Sequence, residues 1–229
     1  IPLQILAGDL HGLNTLHHQP AKIAAIEGIW HTERRAPLTL FGLPNEAERR
    51  TDYAIQVPGL ASLILAHDID AELQGLDQFP NAHPPVAPVF WSFRVMVGMG
   101  LLMLAVSWMG VWSLWRRGRA SPSGSAQPLP RWQLRLVAAM TFSGWVATLA
   151  GWFVTEIGRQ PFLVYGVLRT ADLVAPHPPP MVLATLLAYL AVYAFLLVAY
   201  VLVLMHMARH PAMPTAVAAM PATPHGRAA

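Results

Sequence analysis

The chain has 229 residues, 55% of them hydrophobic and 12% charged, with a mean hydropathy of +0.42; soluble domains carry about 25% charged residues. That balance argues against a water-soluble globule, and the clustering of the apolar residues into long runs around one polar stretch describes an integral membrane chain with an extramembrane segment. The net charge is +3, but 14 of the 15 basic residues are arginines placed largely at run ends, so membrane topology accounts for them and no nucleic-acid partner is called for.

In chain order, residues 1–9 (IPLQILAG and Asp9) read as the end of a transmembrane helix that stops at Gly8-Asp9. No charged n-region precedes them, so the chain is expected to begin inside a longer polypeptide. Residues 10–88 form a polar segment with Lys22 and four arginines against nine acids, a net of −4. Within it, Pro20 to Glu33 places Ile23, Ile26 and Trp30 at helical spacing after a proline, which predicts a short amphipathic helix on the membrane surface. Val57 to Ala66 is apolar but too short to span and predicts a second short helix. Three runs follow, 89–115, 136–157 and 181–207. Each is long enough to cross a hydrocarbon core of about 30 Å. The fold class is therefore all-α, a polytopic transmembrane bundle.

Arg116, Arg117, Arg119, Arg131 and Arg135 fill 116–135 with no acid, and Arg209 and Arg227 follow the last run. The positive-inside rule puts 116–135 and the tail 208–229 in the cytoplasm, and 10–88 and 158–180 outside. Trp108, Trp112, Trp115 and Trp132 then gather at the inner boundary and Trp91 at the outer one. Residues 118–130 and the tail from Pro211 read as flexible.

Without cysteine the chain can build no disulfide, thiolate metal site or iron–sulfur cluster, so a metal must use His, Met, carboxylate or an organic cofactor. Glu156 is the one carboxylate inside a spanning run, which marks it as a functional candidate; it can equally pair with Arg159, three residues on and on the same face. Trp152 shares that face and could stack on a planar group or act as an interfacial indole. Met96 can serve as an axial haem ligand or as packing. Arg94 lies about 200° from it around the helix, so the two cannot share one small site. Lys22, the only lysine, and Glu27 are about 140° apart on their helix, which disfavours a simple ion pair. The histidines are all expected in loops, at helix ends or in the tail, which excludes a bis-His haem clamp within the chain.

Three strings carry a resemblance: GDLHGLNTLHHQPAKIAAIEGIW, FWSFRVMVGMG and GWFVTEIGRQPFLVYGVLRTAD. They resemble signatures of subunit I of the cytochrome bd family of quinol oxidases, over its C-terminal half. The polar segment resembles that family's quinol-binding Q-loop, in the short-loop branch that includes cyanide-insensitive oxidases. The resemblance implies Met96 as ligand of the low-spin haem b with Arg94 near it. It implies Glu156 at the high-spin haem b, Arg159 supporting the haem cluster and Trp152 among the haems. Lys22 and Glu27 are implied in quinol oxidation. Phe162 departs from the family pattern, where tryptophan is usual after GRQP.

The resemblance also implies a third haem, d or a further haem b, while the family's histidine ligands and its proton-channel carboxylates belong to earlier helices that this chain does not contain. The implied partners are quinol, oxygen, the N-terminal half of subunit I, subunit II, a small accessory subunit and lipids, in the bacterial cytoplasmic (inner) membrane. Met96, Glu156 and the polar segment all lie towards one membrane face. Quinol protons could then leave outside while protons for oxygen reduction enter from inside, separating charge without a pump. The competing readings are a non-redox transporter or channel subunit using Glu156 and Arg159, and a structural partner of a redox complex.

Overall fold

A computed structural model describes residues 2–120, 129–173 and 178–210. Much of the expected cytoplasmic loop, part of 158–180 and the tail from Pro211 lie outside them. The chain divides into two compact units, Ile1–Val174 and Ala175–Ala229.

In the first unit, helix α1 (Pro2–His18) leads into α2 (Pro20–Glu27). The expected helix end at Gly8-Asp9 is not observed: a single glycine costs an otherwise good helix only about 1 kcal/mol, and α1 runs on for two more turns. His11, expected in a loop, therefore lies inside a helix.

Helix α2 stops at Glu27 rather than reaching Glu33, because Gly28 takes the left-handed conformation at φ 70° and its N–H bonds back to the Ala24 carbonyl. The expected surface helix is instead buried, with Ala21, Ile23, Ala24, Ala25, Ile26 and Glu27 all shielded from solvent. Its alanines permit close approach. Ile23, Ile26 and Trp30 pack with Leu76, Val86, Val89 and Val154 into the main core of the unit.

Three two-stranded antiparallel ribbons accompany the helices, an addition to the all-α expectation. Strand β1 (Glu33–Arg34) pairs with β4 (Glu72–Leu73). Strands β2 (Leu38–Asn45) and β3 (Arg50–Val57) form a hairpin whose register slips twice, between Thr39 and Phe41 and between Phe41 and Leu43. The short helix expected within Val57–Ala66 is present as α3 (Leu60–Ala66). A second small core of Ile29, Ala36, Ala61 and Leu73 joins it to the ribbons. Strands β5 (Phe162–Val164) and β6 (Leu168–Arg169) close the unit.

Helix α4 (Val86–Ala120) carries the first expected span. The second begins at Arg131, earlier than the expected Leu136: α5 (Arg131–Ala139) and α6 (Ser143–Gly158) join through one 3-10 turn at Met140–Phe142. There Thr141 and Ser143 donate their hydroxyls to the carbonyls of Ala138 and Met140, and such back-bonding tightens a helix without ending it. Val86–Arg117 and Arg131–Gly158 are both long and apolar enough to cross a membrane.

The two helices pack together, with Val106 buried on α4 and Ala150 and Val154 on α6, and Gln133 donates to the Ser113 hydroxyl at 2.5 Å. The second unit holds α7 (Pro179–Arg209), a third helix of membrane-spanning length with no residue buried within the unit.

Candidate functional site

Helix α2 lies against both α4 and α6, and its two ends meet different chemistry. At the C-terminal end Glu27 is 3% exposed and one carboxylate oxygen, Oε2, has no hydrogen-bond partner among the described residues. The nearest cation is Arg94 on α4, at 3.8 Å from that oxygen. Burial pushes the Glu27 carboxyl up to about 7, outweighing the opposing pull of Arg94, as expected when a charge is dried and its counter-charge makes no hydrogen bond to it.

Arg94 spends its donors elsewhere. Nη1 donates to the carbonyls of Ile26 at 2.7 Å and Phe90 at 2.9 Å, Nη2 donates to the carbonyl of Thr39 at 2.5 Å, and the guanidinium stacks 3.2 Å from the centre of the Phe90 ring. Cation and ring together form a charge-assisted knot among α2, β2 and α4.

At the other end of α2, the Lys22 stem runs along Gly158. A Cβ there would meet Lys22 Cε at 3.1 Å, so glycine lets the lysine stem lie close to the α6 backbone. Burial first and then the Arg159 charge pull the Lys22 ammonium below the usual lysine range, with Glu156 acting the other way. Glu156 on α6 and Arg159 at its C-terminal cap are ion-paired as their spacing predicts, and each side chain is 37% exposed. Tyr165, just after α6, takes a backbone hydrogen bond from Ala21, and burial raises its phenol.

Met96 points to α6, where a side chain on Gly151 would come within 3.0 Å of its sulfur. Trp152 is 56% exposed and tilted against Phe153 at 5.6 Å between ring centres.

The structure thus joins Glu27 to Arg94 and gathers Lys22, Glu156 and Arg159, while Lys22 and Glu27 do not pair and Arg94 and Met96 face different elements. Phe90, Thr39, Gly151 and Gly158 were not singled out from the sequence. Phe90 stands one helical turn before Arg94 and Gly158 two residues after Glu156, so neighbourhood was the only signal they offered.

Among the described residues no three His, Cys, Asp or Glu side chains converge on a point. That donor set does not suit a bare metal ion. It does suit iron already held in a macrocycle, which asks the protein for one or two axial atoms such as a thioether or a carboxylate. Trp152, Glu156 and Arg159 at the end of α6 are partly exposed, and the buried Nε atoms of Arg94 and Arg159 have no hydrogen-bond partner among the described residues.

Residues 1–212 match the family model for cytochrome bd terminal oxidase subunit I. This chain belongs to that family. It is 32% identical over 183 residues to the cytochrome bd ubiquinol oxidase subunit 1 of Bacillus subtilis (strain 168), covering 75% of this chain and 37% of that protein. A putative cytochrome bd menaquinol oxidase subunit I of the same organism is 32% identical over 195 residues, covering 85% and 42%. The cytochrome bd-II ubiquinol oxidase subunit 1 of Escherichia coli (strain K12) is 25% identical over 269 residues, covering 88% and 51%.

Among solved structures, the bd oxidase from Geobacillus thermodenitrificans superposes with a TM-score of 0.73 at 31% identity, over 91% of this chain and 46% of that one. The chain thus spans about half the length of these relatives or less. Nothing in the matches supports a transporter or channel.

Proposed function

We propose that this chain forms the C-terminal part of subunit I of a quinol:oxygen oxidoreductase of the cytochrome bd type. The observation that carries the reading is the placement of α2 against α4 and α6: a buried carboxylate at one end and the Lys22–Glu156–Arg159 cluster at the other, with Met96 on α4 pointing to α6. When bound, haem supplies one-electron transfer and, at one iron, a seat for dioxygen.

Met96 would hold the low-spin haem b, with Arg94 two residues away. Glu156 would face the iron of the high-spin haem b, its charge balanced by Arg159, and Trp152 would lie beside the macrocycle. The second low-spin ligand would come from residues outside this chain, and a third haem, d or a further b, completes the set. The N-terminal half of subunit I, subunit II and a small accessory subunit complete the reading, in the lipid of the bacterial cytoplasmic (inner) membrane.

Oxidation of a quinol releases two electrons and two protons. A carboxyl with affinity near neutrality and a free oxygen suits Glu27 to accept the two protons one after the other, passing each on to water outside before taking the next. Lys22 offers a hydrogen-bond donor to an oxygen of the head group. Protons consumed at the oxygen site would come from the other face, so turnover separates charge without a pump.

Lys22→Ala and Glu27→Ala in the assembled oxidase should raise the apparent quinol KM or slow turnover while haem content stays intact. Unchanged steady-state kinetics in both would remove these residues from the site.

A further inference from the structure

An arginine whose task was to neutralise Glu27 would form two short parallel bonds to the carboxylate. Arg94 does not. Its three hydrogen bonds go to backbone carbonyls on α2, β2 and its own helix, and its approach to Glu27 Oε2 stays at 3.8 Å. The carbonyl of Ile26 belongs to the residue directly before Glu27, so the guanidinium holds the backbone that carries the carboxyl while leaving the carboxyl's own oxygen open. The guanidinium carbon lies over the Phe90 ring, 3.2 Å from its centre, and that ring also lies against the Gly28 cap. Arg94 and Phe90 thereby fix both sides of Glu27 in the chain.

We infer that Arg94 is a positioning residue for quinol oxidation: one guanidinium locks the Glu27-bearing end of α2 and strand β2 onto α4, and keeps the carboxylate aimed and unblocked for the substrate proton. This deepens the proposed function and rests on it. A lysine cannot take the place of the fork, because a compact ammonium offers no planar set of donors to reach carbonyls on three elements and stacks poorly on a ring.

The charges near α2 are few enough to make the effect readable. Helix α1 carries Asp9, His11, His17 and His18, α6 carries Glu156 with Arg159 following it, and the 3-10 turn at Leu76–Gln78 carries Asp77. Arg94 alone bears on the Glu27 carboxyl among the described residues, lowering its proton affinity.

The test uses Arg94→Gln and Arg94→Lys in the assembled oxidase. Quinol kinetics are followed across pH together with the infrared carboxyl band of Glu27, identified by its loss in Glu27→Gln. Arg94→Gln should lower kcat/KM roughly tenfold, the scale set by lost positioning. It should also move the titration of the Glu27 band, and with it the acid limb of the rate profile, to higher pH. Arg94→Lys should bring the titration part of the way back while KM stays raised, because it returns the charge without the fork.

A Glu27 band that titrates as in the unsubstituted enzyme, with unchanged KM, in either variant would overturn the inference. If Arg94→Gln does not assemble, Arg94→Lys decides by the same two readouts. Glu27→Gln with undisturbed quinol kinetics would instead be a failure of the proposed function, while the band in the Arg94 variants would still report the positioning.

Discussion

Glu27 is a carboxylate in the wrong solvent, and its stability signature follows from that. Its folded-state pKa of about 7 lies above the ordinary 4.5, so the folded chain binds this proton more tightly than the unfolded one. Its contribution to stability is complete below about pH 4.5 and is lost as pH rises through about 7. Glu27→Gln removes the titration. Relative to the unsubstituted oxidase it should become more resistant to unfolding as pH rises across that window, by roughly 3 kcal/mol at the alkaline end. Parallel melting curves of the two proteins at acid and alkaline pH check this, and a difference independent of pH would contradict the burial of the charged group.

At the same scale, what the sequence revealed was uneven. The i,i+3 spacing of Glu156 and Arg159 announced their pairing, and the angle between Lys22 and Glu27 on a helix kept them apart. The contact of Glu27 with Arg94 was invisible, since the two are far apart in sequence and only the close packing of alanines on α2 against α4 brings them together.

Helix α2 is the element on which the site depends, and its C-terminal stop is its most sensitive point. Gly28 adopts φ 70°, and a Cβ there would press on the Phe90 ring and on Thr51 Oγ1, both at 3.2 Å. Thr51 is already engaged, accepting the Trp30 indole N–H at 2.9 Å. Gly28→Ala should therefore cost about 1–2 kcal/mol from the left-handed backbone alone, and it should raise the quinol KM because Glu27 precedes it. Denaturation midpoints and steady-state kinetics measured together test this; an alanine variant with unchanged midpoint would place the chain reversal elsewhere.

The spanning helices were legible from hydropathy runs because a bilayer demands long uninterrupted apolar segments. The β2–β3 hairpin was not. Gly42 and Pro44 break the alternation, the register slips twice, and the strands show apolar Leu40, Phe41 and Ile55 on exposed positions. Helix α2 was read as a surface helix because its apolar stripe is narrow, and only its small residues betray that both sides are covered.

For the whole molecule, the proposed function divides the haem ligation between this chain and residues outside it. Met96 and Glu156 stand on neighbouring, packed helices, yet each would answer to a different iron, so substitution at one should leave the other spectroscopically intact. Under that proposal, Met96→Leu would take a thioether from the low-spin haem and Glu156→Ala a hard anionic oxygen from the high-spin one.

The reduced-minus-oxidised visible spectrum of the assembled oxidase, compared among the unsubstituted protein, Met96→Leu and Glu156→Ala, tests this division most directly. Met96→Leu should abolish the low-spin haem signal and keep the high-spin one. Glu156→Ala should disturb the high-spin signal and oxygen uptake while sparing the low-spin band. A full low-spin spectrum in Met96→Leu, or undiminished high-spin signal and oxygen uptake in Glu156→Ala, would contradict it.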